Sequence, residues 1–138
     1  MLSRVLLVED NPDDELLTLR ALKKSALNLD VQIARDGAEA LHVLGLNGST
    51  GTDPELPALV LLDIKLPKVS GIDVLRAIRR APRTEGLPVV MLTSSDEPSD
   101  VISASLLNVS RYVRKAVDYS EFMSEMDGLV TDFLGARS

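Results

Sequence analysis

The chain has 138 residues, 45% hydrophobic and 26% charged, a length and composition expected of one globular domain with no room for a second module. It contains no Cys, which excludes disulfides, thiolate catalysis and Cys-based metal or iron–sulfur sites. Fifteen basic against 21 acidic residues give a net charge of −6, the wrong sign for gripping a nucleic-acid backbone unaided.

The first apolar run, Val5-Leu6-Leu7-Val8, is stopped by Glu9. It is too short for a signal-peptide core, and no stretch reaches the ~20 apolar residues of a membrane span, so a cytoplasmic protein is expected. A short apolar run bounded by polar residues predicts a strand buried on both faces. After it, Asn11 is placed to cap a helix, Pro12 suits the first helical position, and Asp13, Asp14 and Glu15 complement the positive end of the helix dipole. Leu16, Leu19, Leu22 and Ala26 are expected to form that helix's apolar face.

Val31 to Ala34 predicts a weaker, edge-like strand, and a second helix follows Asp36-Gly37 to about Leu44. It carries His42, the only histidine, expected at the surface. Gly45 to Pro57, with its glycines and prolines, reads as a long loop. Ala58 to Leu62 and Val89 to Leu92 predict two further buried strands, with a helix from Gly71 to just before Pro82 between them. A fourth helix starts near Pro98 and a fifth, weaker strand spans Arg111 to Arg114. The last helix begins at Asp118, with Glu121 three residues on as in a capping box, and carries Phe122, Met126, Leu129 and Phe133 at helical spacing. Strand and helix thus alternate five times, which predicts a five-stranded parallel doubly wound sheet of α/β class.

In open α/β sheets ligands bind beyond the carboxyl ends of the strands. Here those ends are polar: Glu9-Asp10 after the first strand, Asp63 after the third, Thr93-Ser94-Ser95 after the fourth and Lys115 after the fifth. Taken singly each has an ordinary explanation, such as an acidic helix start, a loop-initiating Asp, or a common hydroxyl or lysine. Together they bring compatible groups from four strands to one edge. Three carboxylates there repel one another unless a cation sits among them, and oxygen ligands with an open outer side suit Mg²⁺. Thr93 and Lys115 would serve the remaining oxygens of a phosphoryl group carried on a carboxylate.

In the order Val5 to Asn11, Leu61-Leu62-Asp63-Ile64-Lys65-Leu66-Pro67 with Gly71, Val90 to Ser94 and Tyr112-Val113-Arg114-Lys115, the chain resembles the receiver domain of two-component response regulators over nearly its whole length. The resemblance implies a flavodoxin-like (βα)5 receiver fold spanning residues 1–138, without an output domain. It implies Asp63 as phosphoacceptor from a kinase phosphohistidine, with Asp10, Asp63 and the Lys65 carbonyl as direct Mg²⁺ ligands and Glu9 acting through water. It also implies Thr93 as switch hydroxyl, Lys115 as charge partner of the phosphoryl oxygens, Tyr112 as the aromatic that follows phosphorylation, and the fourth helix, fifth strand and fifth helix as output face. The long loop, Thr93-Ser94-Ser95 and Val117-Asp118-Tyr119-x-x-Phe122 are most similar to single-domain regulators that partner phytochrome kinases. With one histidine off the active edge, the phosphohistidine must come from another protein.

Lys65 and Ser95 are candidates to modulate loss of the phosphoryl group, Lys65 by shielding it from water. The broad apolar side of the last helix suggests a homodimer contact through Val117, Tyr119, Phe122, Met126, Leu129 and Phe133. One departure from the family matters: Ala116 follows Lys115 where Pro with a cis bond is common. A cis bond costs roughly 2.5–4 kcal/mol without proline, so either strain is stored or the loop rearranges. If Lys115 were thereby misplaced, the fold would be an unphosphorylated interaction module. Two other readings fit less well: an FMN-binding flavodoxin-like protein, whose phosphate Glu9, Asp10, Asp13 and Asp14 would repel, and a haloacid-dehalogenase-type phosphatase, whose second Asp is replaced by Lys65.

Overall fold

The structure, a computed structural model, describes residues 3–24, 28–46, 55–93, 98–115 and 118–135. Its elements follow in the order β1 (Ser3–Val8), α1 (Pro12–Lys23), β2 (Leu29–Ala34), α2 (Gly37–Val43), β3 (Leu59–Asp63), α3 (Gly71–Arg80), β4 (Val89–Thr93), α4 (Pro98–Leu106), β5 (Arg111–Arg114) and α5 (Tyr119–Leu134). The strands form one parallel sheet in the order β2-β1-β3-β4-β5. The two weaker apolar runs are its edges, because an edge strand has one neighbour and less of its surface to hide. Every residue of β3 and β4 is buried.

Alternation along each strand divides the core. Leu6, Val8, Val60, Leu62 and Met91 face a layer built by α2, α3 and α4, with Leu44, Val74, Leu75 and Ile78 at its centre. Val5, Leu7, Leu59, Leu61, Val90 and Leu92 face the opposite layer, where α1 and α5 supply Leu22, Phe122, Met126 and Leu129. Helices cover both faces, as the alternation predicts.

The helix starts follow from local chemistry. Asn11 Oδ1 accepts from the N–H groups of Asp13 and Asp14 at 2.9 and 3.1 Å, fixing the first turn of α1. Asp36, Ser70 and Asp118 cap α2, α3 and α5 in the same way. Two helices end in Schellman turns. After α2, Gly45 takes φ 72° while its N–H and that of Leu46 donate to the carbonyls of His42 and Leu41. After α4, Asn108 takes φ 54°, with its N–H and that of Val109 on Ser105 and Ala104. Arg79 ties that second turn to α3: Nε donates to Leu107 O, Nη2 to Asn108 O, and Nη1 to both Leu87 O and Glu85 O.

Two expectations need correction. Leu16 is 51% exposed and lies outside the core, whereas Thr18, Ala21 and Leu22 face inward. Leu22 is buried as expected and Leu19 packs partly buried against the same layer, so only Leu16 departs from the expected face; Ala26 lies outside the described residues. On α5, Phe122, Met126 and Leu129 are fully buried within the chain's own core, together with Val130 and Leu134. They are the side that covers the sheet, so they are not available to a second copy. Tyr119 is exposed and Phe133 half-buried, and Val117 lies outside the described residues.

Candidate phosphorylation site

Strand order reverses between β1, which pairs outward with β2, and β3, which begins the run toward β4 and β5. Such a switch point opens a crevice at the carboxyl ends of the strands. Register puts the acidic groups there: Val8 pairs with Leu62, so the next residues, Glu9 and Asp63, are level. Asp63 pairs with Leu92, and Thr93 with Arg114, which sets Thr93 and Lys115 at the same edge. Lys115 is anchored by its backbone N–H on Thr93 O at 2.5 Å.

Carboxylate oxygens of Glu9, Asp10 and Asp63 lie within 4.8 Å of one another. Asp10 is exposed, while Glu9 and Asp63 are buried. Asp63 Oδ1 accepts from the Lys65 N–H at 3.3 Å, and Oδ2 from Lys115 Nζ at 3.1 Å. Glu9 Oε2 accepts from the Asn11 N–H at 3.3 Å. Glu9 Oε1 is buried against Lys115 Nζ at 2.5 Å, a charge contact without the direction of a hydrogen bond.

Burial drives the Glu9 carboxyl from its ordinary 4.5 up to about 7; the nearby Asp63 adds to the rise and Lys115 opposes it. For Lys115, burial favours the neutral amine, but Glu9, Asp63 and Asp14 outweigh it and hold the ammonium above the ordinary lysine range. These neighbours keep Lys115 charged inside the crevice.

Does this set fit a divalent cation? One ammonium stands against three clustered carboxylates, all hard oxygen donors, and Oε1 of Glu9 is buried without a hydrogen-bond donor. The single lysine charge cannot balance three carboxylates, so the residues fit a small hard cation such as Mg²⁺.

Lys115 therefore reaches the crevice although Ala116 follows it; the bond between them lies outside the described residues. Thr93 is buried beside β5 and Tyr112 is half-buried against the α2–α4 side of the core. Lys65 is exposed, and its backbone, through its N–H, is already on Asp63. Ser95 lies outside the described residues. Gly71 caps this arrangement from below: its N–H donates to Ile64 O at 2.8 Å, and a Cβ there would collide with the Asp63 carbonyl oxygen. His42 is exposed on α2.

One participant escapes the sequence reading. Asp14 Oδ2 accepts from Lys115 Nζ at 2.9 Å, across 101 positions of chain. In the sequence Asp14 is one of three consecutive acids whose dipole role is sufficient explanation. Only its place three residues after the Asn11 cap turns it back toward the strand ends.

A parallel sheet with an acidic cluster at its switch point, joined there by a buried lysine just past the last strand, defines an open α/β domain whose site suits a cation and an oxyanion. The response regulator receiver domain family matches residues 5–127, and the chain belongs to it. It is 35% identical to the response regulator Rcp1 of Synechocystis sp. over 130 residues, covering 94% of this chain and 88% of that one. The crystal structure of the phosphorylated cyanobacterial phytochrome response regulator RcpA superposes with a TM-score of 0.86 at 32% identity, covering 99% of this chain and 96% of that one. The bacteriophytochrome response regulator AtBRR gives a TM-score of 0.72 at 45% identity over 93% of this chain and 94% of that one. The fold is thus the receiver fold, and the chain is a two-component response regulator receiver similar to phytochrome response regulators. Among the described residues no helix is long and apolar enough to cross a membrane.

Proposed function

We propose that this receiver accepts a phosphoryl group on Asp63 from the phosphohistidine of a sensor histidine kinase, and that the kinase is a bacteriophytochrome. The observation that carries the reading is the meeting of Asp63, the Glu9–Asp10 pair and Lys115 at the switch point, with Nζ 3.1 Å from Asp63 Oδ2. The phytochrome assignment draws on the names of AtBRR and RcpA.

An Asp63 carboxylate oxygen attacks phosphorus in line as the imidazole nitrogen leaves, forming an acyl phosphate. Lys115 moves from Asp63 Oδ2 to an equatorial phosphoryl oxygen, and the Thr93 hydroxyl donates to another. Asp10, Asp63 and the Lys65 carbonyl would hold Mg²⁺ directly and Glu9 through water; the ion when bound neutralises charge on the transferring group. The acyl phosphate carries roughly −1.5 to −2 charges where the carboxylate carried −1, and it presents them on strong acceptor oxygens. Thr93 shifts toward that charge, and Tyr112 turns into the space it leaves. The protein does not turn over a conventional substrate; Lys65 and Ser95 set how long the phosphoryl group lasts.

The switched face of α4, β5 and α5 then signals in the cytoplasm by protein contact. The chain works as a homodimer, and the exposed apolar side chains available for that contact are Val101, Ile102 and Leu106 of α4 and Tyr119 of α5. Nothing in the acidic charge balance favours direct nucleic-acid binding.

The test is incubation with acetyl phosphate and Mg²⁺, read by intact mass. One phosphoryl adduct is expected for the natural chain and none for Asp63→Asn. No adduct in the natural chain, or an adduct that survives Asp63→Asn, overturns the reading.

A further inference from the structure

Lys115 has three ammonium protons and three carboxylates around its nitrogen: Glu9 Oε1 at 2.5 Å, Asp14 Oδ2 at 2.9 Å and Asp63 Oδ2 at 3.1 Å. Two of the three belong to the acidic cluster. Whatever occupies that cluster, a cation or a phosphoryl group on Asp63, draws the oxygens of Glu9 and Asp63 away from the lysine. Asp14 stands outside the cluster and is the partner that stays.

Its geometry suits that task. Asp14 lies in the first turn of α1, where its N–H is held by Asn11 Oδ1 at 3.1 Å, so the backbone from which the carboxylate projects is fixed. Its side chain is 32% exposed while that of Lys115 is 7% exposed. Asp14 therefore closes the solvent side of the ammonium. A lysine on a flexible four-carbon stem has many positions open to it, and a fixed carboxylate restricts them.

We infer that Asp14 is a positioning residue: it holds the Lys115 ammonium inside the crevice, where a phosphoryl oxygen on Asp63 will meet it. This rests on the reading of Asp63 as phosphoacceptor. It also accounts for a lysine that is well placed although Ala116 follows it.

The test uses the full chain with Asp14→Ala, Asp14→Asn, Lys115→Ala and the Asp14→Ala/Lys115→Ala pair. With ¹⁵N-labelled lysine, the natural chain is expected to show a protected Lys115 ammonium signal that Asp14→Ala loses and Asp14→Asn, which keeps an acceptor oxygen, restores in part. At saturating Mg²⁺, Asp14→Ala should slow phosphorylation by acetyl phosphate roughly 10- to 100-fold, the range that misplacement of a catalytic group produces. In the Lys115→Ala background, Asp14→Ala should slow it no further. An unchanged ammonium signal, an unchanged rate, or an equal further loss in the Lys115→Ala background overturns the inference. Should the natural chain take no phosphoryl group, the acceptor reading fails by itself, and the ammonium signal still decides whether Asp14 holds Lys115.

Discussion

Lys115 and Asp63 are 52 positions apart in the chain, yet Nζ rests 3.1 Å from Oδ2 in a buried contact. The same nitrogen sits 2.5 Å from Glu9 Oε1. The lysine thus contacts two of the three carboxylates that would ligate a cation, and its positive charge works against a second cation arriving there.

Removing that charge should tighten metal binding. At an effective dielectric near 20, two unit charges ~4 Å apart interact by ~4 kcal/mol, so even partial relief gives at least a tenfold gain in affinity. Lys115→Met is expected to bind Mg²⁺ about tenfold or more tightly by calorimetry while accepting phosphoryl groups more slowly. Weaker Mg²⁺ binding in this variant contradicts the account.

The Glu9 carboxyl makes metal-free stability depend on pH. Its folded value of about 7 stands above its ordinary 4.5, so between these values the folded chain keeps a proton that the unfolded chain has lost. Its contribution is most favourable at and below pH ~4.5 and declines as pH rises toward ~7, by at most ~1.4 kcal/mol per pH unit. Urea titrations in a metal chelator should show this decline in the natural chain and its loss in Glu9→Gln. Mg²⁺ binding displaces the same proton, so affinity should fall on acidification below about pH 7.

Arg79 carries no part of the site, but its four carbonyl contacts join α3 to the turns before β4 and after α4. Arg79→Met keeps the stem and removes the donors. A loss of about 2–4 kcal/mol by urea unfolding is expected, since hydrogen bonds to a charged group contribute ~1.5–3 kcal/mol each and this group is partly exposed. The α4 amides should also exchange faster.

Core and contact surface separate on α5 and α4. Phe122→Ala should cost about 3–5 kcal/mol of stability, the range for truncating a buried aromatic. Leu106, 78% exposed, should tolerate Glu without loss of stability, and sedimentation should then show monomer. A stable dimer of Leu106→Glu places the contact elsewhere.

Much of this was legible beforehand. β3 and β4 are continuous apolar runs because both their faces are covered, and the Asn11 and Asp118 caps are local chemistry that needs no tertiary information. The polar residues that end Val5–Val8, Ala58–Leu62 and Val89–Leu92 marked the site edge for the same reason. Leu16 was placed in the core because helical spacing from Leu19 and Leu22 reaches it, and nothing local shows that the buried arc runs instead through Thr18 and Ala21. Phe122, Met126 and Leu129 looked surplus because a sequence does not show how much of α5 the sheet and α1 take up. Asp14 was hidden because its partner arrives from the far end of the chain.

The central claim is that Asp63 carries the phosphoryl group. Borohydride reduces an aspartyl phosphate to homoserine, which marks the modified position permanently. After phosphorylation with Mg²⁺ and borohydride treatment, peptide sequencing by mass spectrometry should find homoserine at position 63 and at no other acid. Homoserine at Asp10 or Asp14, or at none, contradicts it.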